Sequence, residues 1–350
     1  MSPGNFLRPL LLVLVSLFLQ AHAFLSILVA PRALPQRQVG LDRGRGGRAA
    51  ATAASSFAMS SGKPSSAADK LRDLLSRPEI LTMPCVYDGL TARLVEDAGF
   101  PLTFMTGFGV SGAHGLPDTQ LLSYAEMLAS ATNICSTLRD IPCIGDGDTG
   151  YGNALNVKRT VKGYAQAGLA GIMIEDQVAP KRCGHTKGKT VVGREEAYSR
   201  VRAACDARDE GADILIMART DARAGLGLEE ALERCKEFRK IGADITFLEA
   251  PQSEEEMRRY CQEVDGPKLA NMLEFGKTPI LPPAELEKMG YAIAAYPLSL
   301  LSASIKAMNS ALARLKAGEP LDDLLEGFEE VQRVVGFRDY DTTAEKYKID

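Results

Sequence analysis

The residues best suited to chemistry in this sequence begin with two carboxylates set among glycines. Asp146 and Asp148 lie two positions apart in the segment Gly145-Asp-Gly-Asp-Thr-Gly-Tyr-Gly152. Because glycine has no side chain, the backbone can turn tightly enough for both carboxylates to approach one point. Hard cations such as Mg²⁺ bind carboxylates and water, often through only one or two carboxylates. A simple turn has the same composition, but Glu175-Asp176, at the end of a predicted neighbouring strand, favours a cation site.

A second candidate is the cationic run Lys181-Arg182-Cys183-Gly184-His185. It falls in residues 178–192, which have no helical or strand period and are predicted to form a long loop. Loops of this length in compact domains often act as lids. Because neighbouring positive groups favour the thiolate, Cys183 is predicted to exchange a proton near neutral pH. The other six cysteines are expected to be small core residues.

A third candidate is the glycine-rich segment Thr106-Gly-Phe-Gly-Val-Ser-Gly-Ala-His-Gly-Leu-Pro-Asp118. Its four glycines would let the backbone approach an anionic ligand, whose carboxylate would accept N–H hydrogen bonds. The segment lacks the GxxxxGK[ST] pattern, so it does not predict a nucleotide-phosphate loop. His114 is interpreted as a loop contact rather than a catalytic base.

The elements that must position these residues are short apolar runs alternating with longer amphipathic stretches, which is typical of repeated βα units. The predicted strands are Met83–Tyr87, Leu102–Thr106, Cys143–Asp146, Gly171–Glu175, Ile214–Arg219, Ile245–Glu249, Lys268–Asn271 and Ala292–Tyr296. The predicted helices between them are Gly89–Ala98, Ser123–Thr137, Val157–Ala167, Arg194–Asp209, Leu228–Ile241, Ser253–Val264 and Pro282–Met289.

Five successive predicted strands end on polar residues, and this pattern favours one fold. The ends are at Asp146/Asp148, Glu175-Asp176, Arg219-Thr220-Asp221, Glu249 and Asn271. In a (β/α)8 barrel the carboxyl ends of all strands converge on one mouth, where the active site lies. We therefore predict an α/β (β/α)8 barrel over residues 63–340. It includes C-terminal helices at Leu298–Ala317 and Leu321–Val335 and is followed by a tail at 341–350.

Composition and charge exclude several classes of protein. The chain has 41 Lys+Arg and 45 Asp+Glu, a net charge of −4, which gives no overall attraction to nucleic acid. Residues 1–62 hold six arginines and one acid, so they carry +5 and the remainder −9. Seven cysteines without a CxxC pair do not predict a disulfide scaffold. Beyond His22, only His114 and His185 are present, so a Cys/His zinc site is not expected.

The first 62 residues are interpreted as a targeting leader. Arg8, the apolar run Leu10–Leu19 and Ala21-His22-Ala23 have the order of a secretory signal peptide, residues 1–23. That run is too short to span a bilayer easily. Residues 24–62 are rich in Arg, Ala and Ser, like a transit peptide. The two parts resemble the bipartite plastid-targeting leaders of algae with complex plastids. Mitochondrial import and secretion are the alternatives, and no membrane association is expected of the mature protein.

Taken together, the motifs resemble the isocitrate lyase/phosphoenolpyruvate mutase superfamily over about residues 69–340. The resemblance rests on Leu116-Pro117-Asp118, the Gly145–Gly152 segment, Ile174–Gln177, Lys181–His185, Ala218–Asp221 and Leu248–Ala250. The chain looks most like the short 2-methylisocitrate lyase and petal-death-protein branch. That branch implies a barrel with a C-terminal helix exchanged between subunits, and a homotetramer.

The resemblance implies a role for each matching residue. Asp146 would bind Mg²⁺ (or Mn²⁺) directly, Asp148 and Glu175 would reach the ion through water, and Asp118 would lie nearby. The residues expected to bind the small carboxylate substrate are Thr106, Gly107, Phe108, Arg219, Glu249 and Asn271. Those expected on a gating loop are Lys181, Cys183, Gly184 and His185. The family's lyases usually carry Ser where this chain has Thr106, which keeps the hydroxyl and alters the pocket slightly.

The implied reaction is metal-dependent carbon–carbon cleavage of a 2-hydroxy di- or tricarboxylate, such as 2-methylisocitrate or a 2-alkylmalate. Retro-aldol cleavage would release a 2-oxo acid such as pyruvate, and Cys183 would protonate the resulting carbanion. Oxaloacetate acetylhydrolase is an alternative, although Pro297 matches the lyases better than the hydrolases, which tend to carry Ser. Phosphonopyruvate hydrolase and phosphoenolpyruvate (or carboxyphosphonoenolpyruvate) mutase are further alternatives, but these enzymes lack the Lys-Arg-Cys-Gly-His run. A catalytically silent barrel with an assembly role is the non-enzymatic alternative.

Overall fold

Eight parallel strands form the centre of the computed structural model, which describes residues 65–184 and 188–349. The strands are β1 (Leu81–Val86), β2 (Thr103–Met105), β3 (Cys143–Asp146), β4 (Gly171–Glu175), β5 (Leu215–Thr220), β6 (Ile245–Leu248), β7 (Leu269–Asn271) and β8 (Ile293–Tyr296). Each lies within two residues of its predicted bounds. The predicted signal peptide 1–23, the segment 24–62, the domain start at 63 and His185 lie outside the described residues.

At least one helix follows each strand, as a (β/α)8 barrel requires, and one further helix precedes β1. They are α1 (Ala67–Leu75), α2 (Gly89–Asp97), α3 (Gly107–Ala113), α4 (Tyr124–Thr137), α5 (Ala154–Ala167), α6 (Arg194–Asp209), α7 (Leu228–Ile241), α8 (Glu254–Glu263), α9 (Pro283–Met289), α10 (Ser299–Ala317), α11 (Phe328–Val335) and α12 (Phe337–Glu345). The helix ends predicted at glycine are confirmed: Gly99 and Gly242 both have positive φ, at 83° and 119°.

The strands are hydrogen-bonded in the order β6-β5-β4-β3-β2-β1-β8-β7, and all pairs are parallel. One further parallel bridge joins Thr246 of β6 to Lys268, so the sheet curves round into a nearly closed barrel. Inside, Met83, Met173 and Met217 belong to a buried cluster that fills the barrel. The amphipathic helix α1 adds Leu71 to this cluster, close to Gly171 at the start of β4. The fold class predicted from the strand pattern is confirmed.

Most of the glycine-rich segment is helical, because Gly107–Ala113 form α3. Thr106 is the N-cap of α3, and its side chain accepts a hydrogen bond from the Gly109 amide at 3.5 Å. A Cβ on Gly109 would lie 2.8 Å from the Cβ of Tyr87, so this glycine lets the helix pack closely against the end of β1. His114 is the C-cap of α3, and its Nδ1 lies 2.9 Å from the Val110 carbonyl oxygen.

The C-terminal part also differs from its predicted bounds. The helix expected to begin at Leu321 begins at Phe328, because residues 322–325 form a turn and a bend and Gly327 takes the N-cap position. Residues 341–345, predicted as tail, continue α12. The long helix α10 has no buried residue. In the described part of the chain, no helix is both long and apolar enough to cross a membrane.

Candidate active site at the carboxyl ends of the strands

Most of the predicted site residues line a single pocket at the carboxyl ends of the strands. Its polar lining comes from six of the eight strands or the segments that follow them: Thr106, Asp118, Asp146, Lys181, Cys183, Gly184, Arg219, Glu249 and Asn271. Phe108 belongs to the same lining. Gly107, Asp148 and Glu175 contact residues of this lining: Gly107 contacts Asp146, Asp148 contacts Lys181, and Glu175 contacts Arg219. The convergence that the strand ends predict is therefore present.

Asp146 is fixed by backbone groups on both of its carboxylate oxygens. The Gly107 amide donates to Oδ2 at 3.2 Å, and the Asp148 amide donates to Oδ1 at 3.0 Å. A Cβ on Gly107 would lie 2.6 Å from Oδ2, so only glycine lets α3 approach this closely. Asp148 reaches its position with a φ of 47°, in the left-handed region that non-glycine residues seldom adopt. The DxD segment forms a turn, closed by a hydrogen bond from the Gly150 amide to the Gly147 carbonyl oxygen at 2.9 Å, which holds both carboxylates at the end of β3.

Lys181 places its ammonium group among these acids. Its Nζ lies 2.9 Å from Oδ1 of Asp148 and also contacts Asp118, and all three side chains are buried. Burial alone would lower the pKa of Lys181, but the carboxylates of Asp148, Asp146 and Asp118 outweigh it and hold that pKa well above its usual range. Burial raises the pKa of Asp148 to about 6 despite Lys181, and it raises the pKa of Glu175 well above its usual value.

The donor set suits a hard divalent cation. Asp118, Asp146, Asp148 and Glu175 offer only carboxylate oxygens, which Mg²⁺ prefers. Oε1 of Glu175 is buried and accepts no hydrogen bond from any described residue. Across residues 65–184 and 188–349, no three His, Cys, Asp or Glu side chains form a compact ligand cluster. Mg²⁺ usually keeps several of its waters and is bound directly through only one or two carboxylates.

Arg219, at the end of β5, has its guanidinium held on several sides. Nε and Nη2 donate to the two carboxylate oxygens of Asp221 at 2.9 and 3.1 Å. Nη2 also lies 3.3 Å from Glu249, and Nε lies 3.4 Å from Glu175. The planar fork of arginine suits paired carboxylates, and here it presents a fixed positive group to the pocket.

The loop after β4 brings Cys183 and Gly184 over this arrangement. Gln177 anchors it: the side-chain amide of Gln177 donates to the Arg182 carbonyl oxygen at 2.9 Å, and its oxygen accepts from the Arg182 amide at 3.0 Å. A Cβ on Gly184 would lie 2.5 Å from Nη2 of Arg219 and 2.7 Å from Cδ of Glu249. Cys183 is half-buried and lines the pocket. The loop therefore closes against the strand-end residues.

The rest of the pocket lining combines one polar pair, Asn271 and Glu249, with an apolar wall. The side-chain amide of Asn271 donates to Oε2 of Glu249 at 3.4 Å, which joins the ends of β6 and β7. The apolar lining includes Phe104, Phe247, Leu269, Leu273, Pro297 and Leu298. Such a lining can accommodate an alkyl group next to the polar centre.

Sequence reasoning missed three residues that support the site. Asp221 was noted only as a strand end, yet its carboxylate orients Arg219. Lys189, from the same loop as Cys183, donates to Asp221 at 2.8 Å. Gln120 accepts a hydrogen bond from the Lys181 amide at 3.2 Å and donates to Thr149. The Arg-x-Asp spacing could have indicated Asp221, but nothing local in the sequence distinguishes Lys189 or Gln120.

Comparison with known protein families gives a match over most of the barrel. Residues 71–316 match the family model described as phosphoenolpyruvate phosphomutase. The chain is 46% identical over 250 residues to 2,3-dimethylmalate lyase of Eubacterium barkeri, covering 71% of this chain and 86% of the relative. It is 39% identical over 274 residues to 2-methylisocitrate lyase of Aeropyrum pernix, covering 77% and 88%.

Solved structures agree with these relatives. Oxaloacetate acetylhydrolase in complex with 3,3-difluorooxalacetate aligns with a TM-score of 0.77 and 36% identity, covering 82% of this chain and 98% of that one. Phosphonopyruvate hydrolase in complex with oxalate and Mg²⁺ aligns with a TM-score of 0.72 and 28% identity, covering 81% and 99%.

Proposed function

This chain belongs to the isocitrate lyase/phosphoenolpyruvate mutase superfamily, and from that membership we infer that it is a metal-dependent carbon–carbon lyase. The observation that carries the inference is the single pocket shared by Cys183, Arg219 and Asp146. Those three side chains come from different segments and offer an acid, an anion-binding group and a cation ligand. A catalytically silent barrel would have no need of all three together.

We propose that Asp146, Asp148, Glu175 and Asp118 hold Mg²⁺, with Mn²⁺ as a substitute. When bound, the ion supplies Lewis-acid stabilisation of the negative charge that develops on the substrate's 2-oxygen. Lys181 already balances part of the negative charge of these acids. Complete chelation should abolish activity, and added Mg²⁺ or Mn²⁺ should restore it. Undiminished turnover in the chelated enzyme would contradict the metal assignment.

Substrate binding is proposed to use the positive group of Arg219 and the start of α3. The guanidinium, held in place by Asp221, would pair with the carboxylate next to the 2-hydroxyl group. Thr106, Gly107 and Phe108 would contact the same carboxylate. Glu249 and Asn271 would contact the distal part of the substrate. The Gly107 amide already donates to Oδ2 of Asp146 at 3.2 Å, so the start of α3 adjoins the proposed cation ligand.

Cys183 is the proposed general acid. The 2-hydroxyl group would give its proton to a carboxylate of the pocket as the bond between C2 and C3 breaks. The electron pair of that bond would pass to C3, and C2 would become the carbonyl carbon of the 2-oxo acid. The thiol of Cys183 would then donate its proton to C3, which gives the second carboxylic acid product. Lys181 and Gly184 position this loop, and a closed loop excludes water from the carbanion. His185, next to Gly184 in the sequence, is proposed to assist.

The substrate class we favour is a 2-hydroxy dicarboxylate with an alkyl branch, such as a 2-alkylmalate, with 2-methylisocitrate as the tricarboxylate candidate. The apolar wall that includes Leu273, Pro297 and Leu298 supports an alkyl group. The rival reading is hydrolysis of oxaloacetate, because oxaloacetate acetylhydrolase shares the fold closely.

A substrate panel with Mg²⁺ separates these possibilities. It contains 2,3-dimethylmalate, other 2-alkylmalates, 2-methylisocitrate, oxaloacetate and phosphonopyruvate, with pyruvate or the corresponding 2-oxo acid, oxalate and phosphate as measured products. A 2-oxo acid formed from a 2-alkylmalate or from 2-methylisocitrate supports the proposal. Turnover of oxaloacetate or phosphonopyruvate alone would overturn it, and turnover of none would favour the silent barrel.

We also propose that the protein is a homo-oligomer assembled through α10. Ile305, Met308, Leu312 and Leu315 recur along one face of this helix, and each is about half exposed. Beside the start of α10, an apolar groove on the barrel is lined by residues of β1, α2 and β8. A second copy is the occupant that matches both surfaces, and a tetramer is expected. Light scattering of the wild type should give the mass of an oligomer. The double variant Met308→Glu with Leu312→Glu should have a lower mass. A monomeric wild type would contradict the proposed assembly.

The leader, residues 1–62, is proposed to direct the protein to a plastid. Its fusion to a fluorescent protein in an alga with complex plastids should give plastid fluorescence. Fluorescence in mitochondria or the secretory pathway would support the alternatives instead.

A further inference from the structure

A buried lysine outside the proposed catalytic set links the Cys183 loop to the substrate-binding arginine. Lys189 lies in the segment that leads from this loop to α6, and its side chain is only 3% exposed. Its ammonium donates to the carbonyl oxygen of Gly184 and, at 2.8 Å, to Oδ1 of Asp221. One cation therefore joins the residue next to Cys183 to the carboxylate that orients Arg219.

The carboxylate at the other end of this link is itself rigidly held. Asp221 accepts two hydrogen bonds from Arg219, and its backbone amide donates to Asp176 at 2.9 Å. Asp176 in turn accepts from Thr220 at 2.6 Å and from the buried Arg234 at 2.9 Å. Lys189 is therefore held in place by residues at the end of β5, which are in turn bonded to Arg234 of α7 through Asp176, and not by the loop alone.

Gly184 occupies a place where small displacements matter. It lies so close to Arg219 and Glu249 that a Cβ would clash with both. Its carbonyl oxygen is a strong acceptor that must be satisfied when buried, and Lys189 satisfies it. Among the described residues, the ammonium of Lys189 is what connects the Gly184 carbonyl oxygen to Asp221.

We propose that Lys189 is a positioning residue that sets the distance between Cys183 and Arg219 by fixing the Gly184 carbonyl to Asp221. The proposal rests on the lyase function inferred above. It assigns Lys189 no contact with the substrate. Its effect should therefore appear in the step that needs Cys183 in place rather than in substrate affinity.

The test compares Lys189→Met with wild type in full-length protein. Lys189→Met should lower kcat by about 10²-fold, the effect of misplacing a catalytic group by about 1 Å, with KM changed much less. Amide hydrogen exchange should be faster in peptides that contain Gly184 and unchanged in peptides from β1 and β2. Lys189→Arg, which retains a donor fork, should recover part of both losses. Lys240→Met, which removes a lysine that is 72% exposed, is the matched control and should behave as wild type.

The outcomes separate this proposal from the proposed function. Wild-type kcat and wild-type exchange around Gly184 in Lys189→Met would overturn the positioning role. A lower melting temperature with unchanged kcat and unchanged local exchange would also overturn it, since the lysine would then be merely structural. If the wild type cleaves no 2-hydroxy acid but Lys189→Met still shows faster exchange around Gly184, the link between Lys189 and Gly184 stands. The proposed lyase function is then rejected instead.

Discussion

The ammonium of Lys181 lies 2.9 Å from Oδ1 of Asp148, and both side chains are at least 95% buried. This pair stands at the point where the Cys183 loop meets the proposed metal ligands. Asp118 contacts the same ammonium, so one lysine balances two carboxylates that are shielded from water. Removing one member of such a buried group leaves uncompensated charge, which costs about 3–5 kcal/mol.

Lys181→Met should therefore destabilise the metal-free protein more than the metal-loaded protein. A divalent cation bound at Asp146, Asp148 and Glu175 would replace the lost positive charge. Thermal melting with chelator and with Mg²⁺ should show a larger Mg²⁺-induced rise for Lys181→Met than for wild type. Lys162→Met, which breaks an exposed ion pair with Glu210, should show the wild-type rise. Equal rises in all three proteins would contradict this relation between Lys181 and the cation.

Cys183→Ser and Cys183→Ala should lower kcat by about 10²–10⁴-fold, the usual contribution of general acid–base catalysis. KM should change little, because the substrate's carboxylates are bound by other groups. Steady-state kinetics on the best substrate of the panel checks both values. Cys135→Ser on α4, a half-buried cysteine away from the pocket lining, should retain wild-type turnover. A Cys183→Ser enzyme of normal kcat would remove Cys183 from the mechanism.

Gly184→Ala should lower kcat/KM by about 10²-fold. The added methyl group would lie 2.5 Å from Arg219 Nη2, and that guanidinium cannot move away freely because Asp221 holds it. Gly193→Ala is the matched control, since a Cβ there meets no atom within 4 Å and its φ of −57° suits alanine. Steady-state kinetics should show the loss of kcat/KM in Gly184→Ala and wild-type values in Gly193→Ala. Full activity in Gly184→Ala would show that the loop does not need this close approach.

Much of the fold could be predicted because each βα unit carries its own local signals. The strand Gly171–Glu175 and the helices Arg194–Asp209 and Leu228–Ile241 have the predicted bounds, since apolar runs, polar strand ends and glycine caps all agree there. The helix from Gly107 to Ala113 could not be predicted, because its glycines suit close backbone approach to an anion as well as close helix packing. The contact between Gly109 and Tyr87 that favours the helix depends on the tertiary structure.

The site was predictable where it depended on strand ends and not where it depended on the path of a loop. Asp146, Glu175, Arg219 and Glu249 follow from the convergence of parallel strands. The link from Lys189 to Asp221 requires two segments 32 residues apart to meet, and no local pattern in the sequence specifies that meeting.

Glu96→Gln should make stability less dependent on pH without affecting the site. The Glu96 side chain is 7% exposed and accepts hydrogen bonds from the backbone amides of residues 139–141, just before β3. Burial opposes ionisation, but those amides and the Arg139 side chain outweigh it and lower the pKa of Glu96. Because its pKa in the folded state is below the unfolded value of about 4.3, ionised Glu96 stabilises the protein above that pH. The stabilisation is lost as the pH falls through the folded pKa.

Denaturant unfolding of wild type and Glu96→Gln should therefore differ by about 1–3 kcal/mol at pH 7, the contribution of hydrogen bonds to a charged group. The difference should shrink as the pH falls below the unfolded pKa of about 4.3 toward the lowered folded pKa, because protonated Glu96 is uncharged like glutamine. Activity at pH 7 should be unchanged, since Glu96 supports the segment before β3 and does not line the pocket. Glu254→Gln, in an exposed ion pair with Arg258, should differ from wild type by less than about 0.5 kcal/mol at either pH. A gap for Glu96→Gln that stays constant from pH 7 to pH 3 would mean that its charge does not stabilise the fold.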